Sequence, residues 1–224
     1  MLHKTKGIVL NFIRYSDSSI ITRIYTDAFG LQSYIVNGVR SSKAKNKIAL
    51  FQPLTLLDLV VYHKNTTGLQ RISEIRYAEP YASIPFDIHK ITISIFLSEI
   101  LVKTLKEEIS NQEQFDFLYH SFHALDKLEN ETLNFHVSFL LRYSFYLGFF
   151  PQDIKSVWEN SHYKPSQEVI NYLENCMKNT YFNSFSSTNF HRREALDIII
   201  GFYRNQIESL DEIHSMTILR EVFE

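Results

Sequence analysis

The chain has 224 residues, 45% of them hydrophobic and 21% charged, with a net charge of −2, a mixture that excludes a disordered or collagen-like chain. A single cysteine, Cys176, excludes an internal disulfide framework and a zinc site built from several cysteines. Since no secretory signal is recognisable, we expect a cytoplasmic protein.

The first eighty residues predict five β-strands. Hydrophobic and β-branched residues alternate along each segment, and Gly30 supplies the positive φ of a tight turn between the second and the third. The five segments are 4–15, 19–26, 31–36, 54–63 and 69–78. Short strands with an interruption between the third and the fourth are typical of a five-stranded OB-type barrel.

The remainder predicts helices, with Pro80 and Pro85 at the change of period. One helix opens at Ser110, which stands in capping-box spacing with Glu113. The other helical segments are about 88–109, 132–147, 166–178, 189–209 and 215–223. Strands followed by helices predict an α+β protein, with an OB-fold domain over 1–80 and an all-α helical domain over 81–224.

The charge is divided unevenly between these two parts. Residues 1–80 contain 11 Lys and Arg against 5 Asp and Glu, a net charge of +6, whereas residues 81–224 contain 12 against 20, a net charge of −8. Because the change of sign coincides with the change from strands to helices, we expect the first part to bind a polyanion.

The usual signatures of an enzyme are absent. The sequence contains no phosphate-binding glycine loop and no G-x-S-x-G nucleophile elbow. His120 and His123 are spaced like two metal ligands on one helix face, but no third ligand follows. We therefore predict no catalytic residue, no metal and no enzymatic activity. An enzyme whose site is assembled from scattered residues stays open as an alternative.

The binding signal is stronger, because basic and aromatic residues interleave in the predicted barrel. Cations neutralise phosphates and aromatic faces stack bases, and we expect Tyr25 to be one of the rings available for stacking. Four cations stand together in the loop after the third strand: Arg40, Lys43, Lys45 and Lys47. Charge alone adds four further candidates: Arg14, Arg23, Lys64 and Arg71.

Four segments resemble the bacterial recombination mediator family RecO. They are Gly7-Ile8-Val9-Leu10, the stretch Val36-Asn37-Gly38-Val39-Arg40-Ser41-Ser42-Lys43, Leu50-Phe51-Gln52-Pro53-Leu54, and Leu147-Gly148-Phe149-Phe150-Pro151. The resemblance implies an OB fold followed by a helical domain. It also implies binding of single- and double-stranded DNA, annealing of complementary strands, and loading of the RecA recombinase with RecR and single-strand-binding protein. Arg40 and Lys43 match the family motif, and nucleoid association would follow.

The sequence departs from the family in one place. Many members carry four zinc-binding cysteines just after the L-G-x-x-P motif, whereas residues 152–164 here contain none. We therefore expect no zinc cofactor, and we expect the segment of about 151–165 to be held by packing, with Trp158 and Tyr163 taking part.

The acidic helical part is predicted to contact proteins. The family resemblance implies that it binds the acidic, apolar C-terminal tail of single-strand-binding protein, which requires an apolar groove with basic residues at its rim. Three arginines on or beside the fifth helix are candidates for that rim: Arg192, Arg193 and Arg204. The alternative is an OB-fold module that binds RNA or a protein partner without recombination activity.

Overall fold

Five strands close into a barrel in the N-terminal part of the chain. The computed structural model describes residues 1–39, 47–63, 68–105, 110–159, 164–210 and 212–223. The strands are β1 (Leu2–Arg14), β2 (Ile20–Thr26), β3 (Gly30–Val36), β4 (Leu56–Tyr62) and β5 (Gln70–Tyr77). Their order around the barrel is β1-β2-β3-β5-β4, and β1 closes it by pairing with both β2 and β4. The predicted OB-type barrel is confirmed.

The barrel interior follows from the alternation of side chains along the strands. Ile24, Tyr34 and Leu59 point inward and are at most 2% exposed. Gly7 lies where β1 passes this core, and a Cβ at that position would approach Ile24 to 2.6 Å and Leu59 to 2.8 Å. A larger residue at position 7 would therefore force the core apart. Gly30 has φ of 64° in the turn between β2 and β3, as predicted.

The segment between β3 and β4 packs into the same core. Lys47–Phe51 forms a 3-10 helix, and Phe51 and Leu54 are buried. Leu54 has φ of 64°, its N–H donates to the Val9 carbonyl at 2.7 Å, and its own carbonyl accepts from the Tyr81 hydroxyl at 2.7 Å. Burial and these two hydrogen bonds hold a backbone conformation that costs about 1–3 kcal/mol. Residues 51–54, the F-Q-P-L segment, therefore have a structural role in the packing of the barrel core.

In the part of the chain that the structure describes, six α-helices follow the barrel. They are α1 (Ile88–Thr104), α2 (Gln112–Lys127), α3 (Phe135–Tyr146), α4 (Gln167–Lys178), α5 (Asn189–Gln206) and α6 (Ser215–Val222). The capping box expected at Ser110 is wrong, because Asn111 caps α2: its Oδ1 accepts from the Gln114 N–H at 3.0 Å. None of the described helices combines the length and apolar character needed to cross a bilayer.

The chain forms two compact units. The barrel unit consists of Met1–Tyr81 and Leu105–Phe122, and the helical unit of Ala82–Thr104 and His123–Glu224. Most of α2 thus belongs to the barrel unit, where Gln114 accepts a hydrogen bond from the Tyr25 hydroxyl at 3.1 Å.

The helical unit buries a lysine at the N-terminal side of α1. Lys90 is 2% exposed, and its Nζ donates to Ser83 Oγ at 2.6 Å, to the Asp126 carbonyl at 3.0 Å and to the Leu128 carbonyl at 2.5 Å. The Asp126 carboxylate in turn accepts from the N–H groups of Ala82, Ser83 and Ile84 at 2.8–2.9 Å. This network fixes the start of the helical unit to the end of α2.

A second carboxylate, half-buried like that of Asp126, holds the C-terminal helix. Glu99 on α1 accepts from the N–H groups of His214 and Ser215 at 3.0 and 2.9 Å and from Ser215 Oγ at 2.6 Å. These amides lie at the first turn of α6, so Glu99 both satisfies orphan donors and complements the helix dipole.

Candidate functional site

A continuous row of side chains crosses all five strands on the outside of the barrel. Cross-strand partners present their side chains on the same face of a sheet. The members of this outer row, in order around the barrel, are Ile13, Ile21, Ile35, Arg71, Tyr62 and Leu2. Ile13 is 61% exposed and Tyr62 is 47% exposed. The row therefore presents apolar and aromatic surface with a cation, Arg71, in its middle, which is typical of an interaction surface.

The predicted cations of the barrel divide into three groups. Arg23 pairs with Asn11 and Ser33 on the face of the outer row, two positions along β2 from Ile21. Within the part of the chain that the structure describes, the side chains of Arg14, Lys47 and Arg71 make no hydrogen bond or ion pair, so their charges are available to a ligand. The remaining four candidates lie outside the described residues: Arg40, Lys43, Lys45 and Lys64.

The expectation that Tyr25 stacks bases is wrong. Tyr25 is 1% exposed, and its ring lies 6.0 Å from that of Phe115 in α2. Burial raises the pKa of Tyr25 to about 12, and the ring packs on Phe115 while its hydroxyl donates to Gln114. Strand alternation places Tyr25 on the outer face, but sequence periodicity does not reveal that α2 covers that part of the barrel. Tyr62 is the exposed ring instead.

A groove of about 570 Å³ runs along β1, β4 and β5. It brings together three cations and three carboxylates: Lys4, Lys6, Arg76, Asp27, Asp58 and Glu74. Arg76 forms an ion pair with Asp58 at 3.0 Å, and Lys6 lies over the Tyr119 ring at 4.9 Å. Because the charges in the groove balance, it is a poor site for a phosphate chain, and the outer row is the better candidate.

The helical unit contains an apolar cavity of about 240 Å³ among α3, α5 and α6. Leu196 and Leu219 are buried in its lining, together with His136, while Phe190 is 59% exposed. Burial lowers the pKa of His136 to about 3, so its imidazole is neutral at neutral pH. Its Nδ1 has no hydrogen-bond partner among the described residues.

Three arginines line this cavity, and they are not the three expected. Arg192 and Arg193 are present, but Arg204 is not a lining residue, and its Nε donates to the Leu210 carbonyl at 3.2 Å. Arg192 is 7% exposed and donates to Ser187 and Asn189. Its side chain therefore belongs to the buried wall of the cavity and does not lie at an exposed rim. The third lining arginine is Arg220, which pairs with Asp197. Sequence reasoning missed it because α6 is distant in the chain.

The residues after α3 do not fit a zinc site. Between Gln152 and Glu159 the only acidic side chains are Asp153 and Glu159, and zinc in structural sites prefers cysteine and histidine. The segment instead buries Pro151, Ile154 and Val157. Trp158 is half-buried, and Tyr163 lies outside the described residues.

A closed five-stranded barrel with exposed cations and an aromatic ring, followed by a helical unit, is typical of nucleic-acid-binding proteins. Family models for the N-terminal and C-terminal parts of recombination protein O match residues 1–81 and 85–161. The chain is 36% identical to DNA repair protein RecO of Flavobacterium psychrophilum, with 98% of both chains covered. It is 32% identical to the RecO protein of Bacteroides fragilis and 31% identical to that of Phocaeicola vulgatus, with both chains covered completely.

The chain therefore belongs to the RecO family of DNA repair proteins. Family membership supports a role in DNA repair and recombination, in agreement with the resemblance seen in the sequence.

Proposed function

We propose that this protein binds single- and double-stranded DNA, anneals complementary strands, and loads RecA onto DNA coated by single-strand-binding protein, together with RecR. The observation that carries the proposal is the outer row of the barrel, where Arg71 stands between Tyr62 and Ile35 and makes no bond to another described side chain. Such a surface can both neutralise phosphates and stack bases. We propose a binding role and no catalytic one.

The DNA path continues from the outer row to the cations of the neighbouring loops. Arg23 extends the outer face on β2, and Lys47 begins the 3-10 helix. Arg40, Lys43 and Lys45 precede Lys47 in the sequence, and Lys64 follows β4. Arg14 ends β1.

Fluorescence anisotropy of a labelled single strand, repeated over a series of salt concentrations, tests this proposal. We expect the logarithm of the affinity to fall linearly with the logarithm of the salt concentration. Changing Arg40, Lys43, Lys45 and Lys47 together to alanine should lower affinity for every sequence and reduce the slope by about 0.7 for each lost phosphate contact. Arg71→Ala alone should reduce the slope of the salt dependence by about 0.7.

The matched control removes four exposed cations from the helical unit instead: Lys127, Lys155, Lys164 and Lys178. This variant should keep the affinity and the slope of the wild type. Equal loss in both variants would show that only the net charge matters. Tighter binding to structured RNA than to DNA would contradict the recombination role, and strand annealing and RecA loading with RecR are the assays that follow.

We further propose that the cavity of the helical unit receives the C-terminal tail of single-strand-binding protein. The apolar lining suits the apolar residues of that tail, and Arg193, the exposed arginine of the lining, suits its acidic residues and terminal carboxylate. The cavity also includes the first turn of α5, where helix N–H groups favour an anion.

A labelled tail peptide tests this part of the proposal. Arg193→Glu should weaken binding about tenfold or more, because it places a like charge beside the acidic peptide, whereas Arg204→Glu should change it little. A peptide with an amidated C-terminus should also bind more weakly than one with a free carboxylate. Equal effects of the two reversals would contradict the assignment of the cavity.

A further inference from the structure

Three aromatic rings meet at one end of the barrel. His3 belongs to β1, His63 follows β4, and Phe29 lies in the turn between β2 and β3. The Phe29 and His63 rings are stacked, with centroids 4.0 Å apart and planes at 14°. His3 meets both rings edge-on, at 5.4 Å from Phe29 and 6.3 Å from His63. We call these three residues the mouth cluster.

The mouth cluster is poorly suited to be only a plug for the barrel interior. All three side chains are half-buried, and two of them are imidazoles. A hydrocarbon side chain would fill the same space without the free-energy cost of burying polar ring nitrogens. The Nδ1 atom of His63 is buried and has no hydrogen-bond partner among the described residues. An unsatisfied polar atom of this kind costs stability unless a ligand or solvent satisfies it.

The surroundings of the cluster favour an anionic ligand that carries flat rings. Lys4 is exposed and follows His3 directly, and Tyr62, 47% exposed, precedes His63. The carboxylate of Asp27, two residues before Phe29, already accepts from the Thr5 hydroxyl and from the Lys6 N–H at 3.0 Å. The end of the barrel thus offers stacked rings, an unsatisfied ring nitrogen and a cation within a few residues of one another.

We propose that an unpaired nucleobase of single-stranded DNA stacks on the Phe29–His63 pair, and that the His63 ring turns as the base binds, so that its Nδ1, buried in the free protein, forms a hydrogen bond with the base. This inference rests on the proposed DNA binding and adds to it a specific contact for a base. A base in a duplex is stacked on both sides and cannot use the site, so the mouth cluster would favour single strands over double strands. Phosphate contacts from the loop cations do not make that distinction.

A combined protein and DNA substitution tests the contact. The DNA is the shortest single strand that binds with full affinity, either intact or with one abasic residue at each position in turn. For the wild-type protein, we expect one or two positions at which loss of the base weakens binding roughly tenfold. His63→Ala should weaken binding of the intact strand by a similar factor, and the abasic residue at those positions should then cost nothing more.

Two further variants separate stacking from folding. His63→Phe keeps a ring for stacking and should retain the sensitivity to the abasic positions, with a smaller loss that reflects the missing hydrogen bond. His120→Ala removes an exposed histidine from α2 in the same unit and should behave as the wild type. Circular dichroism of each variant verifies that the barrel is folded.

The outcomes distinguish this inference from the proposed function. If the wild type binds DNA but His63→Ala leaves the abasic sensitivity unchanged, the mouth cluster is not a base site and the DNA-binding proposal stands. If the wild type binds no strand at low salt, both proposals fall together. Loss of the abasic sensitivity in His63→Ala, with its retention in His63→Phe, is the result that supports the inference.

Discussion

The two units use their basic residues in opposite ways. Among the described residues, every buried basic side chain belongs to the helical unit, where Lys90, His136 and Arg192 are at most 7% exposed. Other basic residues of that unit also bind its own oxygens, as Arg204 does with the Leu210 carbonyl. The barrel unit buries no charged residue in its described part, and Arg14, Lys47 and Arg71 point to solvent.

A count of basic residues therefore predicts binding of a polyanion only when their side chains are not already paired within the protein. The chain after residue 80 has about as many Lys and Arg as the chain before it, 12 against 11. Several of them satisfy carbonyls and carboxylates, so they stabilise the fold and are not available to a polyanion.

Removing the Lys90 amino group should destabilise the helical unit strongly. Lys90→Met keeps most of the apolar stem but leaves the Asp126 and Leu128 carbonyls without their donor. We expect a loss of about 2–4 kcal/mol in the free energy of unfolding. Urea unfolding followed by the fluorescence of Trp158, the single tryptophan and a residue of the helical unit, measures it.

Lys178→Met is the matched control for that experiment. Lys178 lies on α4 with 71% of its side chain exposed, and it pairs with Glu174 at 2.7 Å. Exposed pairs of this kind contribute ~0.5 kcal/mol or less, so the control should unfold almost as the wild type does. Similar stability for the two methionine variants would show that burial of Lys90 has no structural role.

Acid should lower the stability of the helical unit, because it protonates two carboxylates that accept hydrogen bonds from helix-end amides, those of Glu99 and Asp126. Burial alone would raise the pKa of Glu99 and of Asp126. The hydrogen bonds that Glu99 accepts from Ser215 and His214, and that Asp126 accepts from residues 82–84, have the larger effect in the opposite direction. The pKa of each carboxyl therefore lies below its ordinary value of 4.5 or 3.8. A carboxyl whose pKa is lower in the folded state stabilises the fold above its unfolded-state pKa. That stability is lost as the pH falls through the folded-state pKa.

Glu99→Gln tests the acid prediction, because glutamine resembles the protonated acid. At pH 7 the variant should be less stable than the wild type by about 1 kcal/mol, and the difference should shrink towards zero as the pH falls to about 3. Unfolding in urea at several pH values, again followed by Trp158, gives the comparison. A difference that is constant with pH would exclude Glu99 as the titrating group.

The same contrast explains which features the sequence could predict. The barrel follows from alternation over short segments, and each predicted strand lies within two residues of its observed bounds at both ends. Charge alone predicts three of its exposed cations, Arg14, Lys47 and Arg71, because their side chains form no hydrogen bond or ion pair within the described part of the chain. Tyr25 was misjudged because the helix that covers it, α2, lies about ninety residues later in the chain.

The cavity of the helical unit could not be predicted in the same way. Its lining comes from α3, α5 and α6, which are separated by up to about eighty residues. Helical periodicity shows which face of each helix is apolar, but it does not show which faces meet. Arg192 and Arg193 are neighbours in sequence, yet one is buried in a hydrogen-bonded network and the other is exposed.

Besides His63 Nδ1, the barrel buries a second polar side-chain atom that has no hydrogen-bond partner among the described residues, the hydroxyl of Tyr34. The side chain is fully buried in the core, and its oxygen has no hydrogen-bond partner among the described residues. Tyr34→Phe should therefore leave stability unchanged or raise it by up to ~1 kcal/mol. Thermal unfolding followed by circular dichroism measures it. A clear loss would reveal a hydrogen bond to the hydroxyl and weaken the contrast between the two units.

The smallest expected effect is that of metal removal on the segment after α3. Pro151, Ile154 and Val157 are buried there, so we expect apolar packing, and not a metal, to hold the segment. A structural zinc contributes ~10 kcal/mol or more to folding, and chelators unfold proteins that depend on it. We expect purified protein to contain no stoichiometric zinc, and its melting temperature to be the same with and without a chelator. Val157→Ala should lower that temperature in either condition, since it removes packing and no ligand. Zinc at one ion per chain, or a melting temperature that falls on chelation, would mean that oxygen and histidine donors replace the missing cysteines.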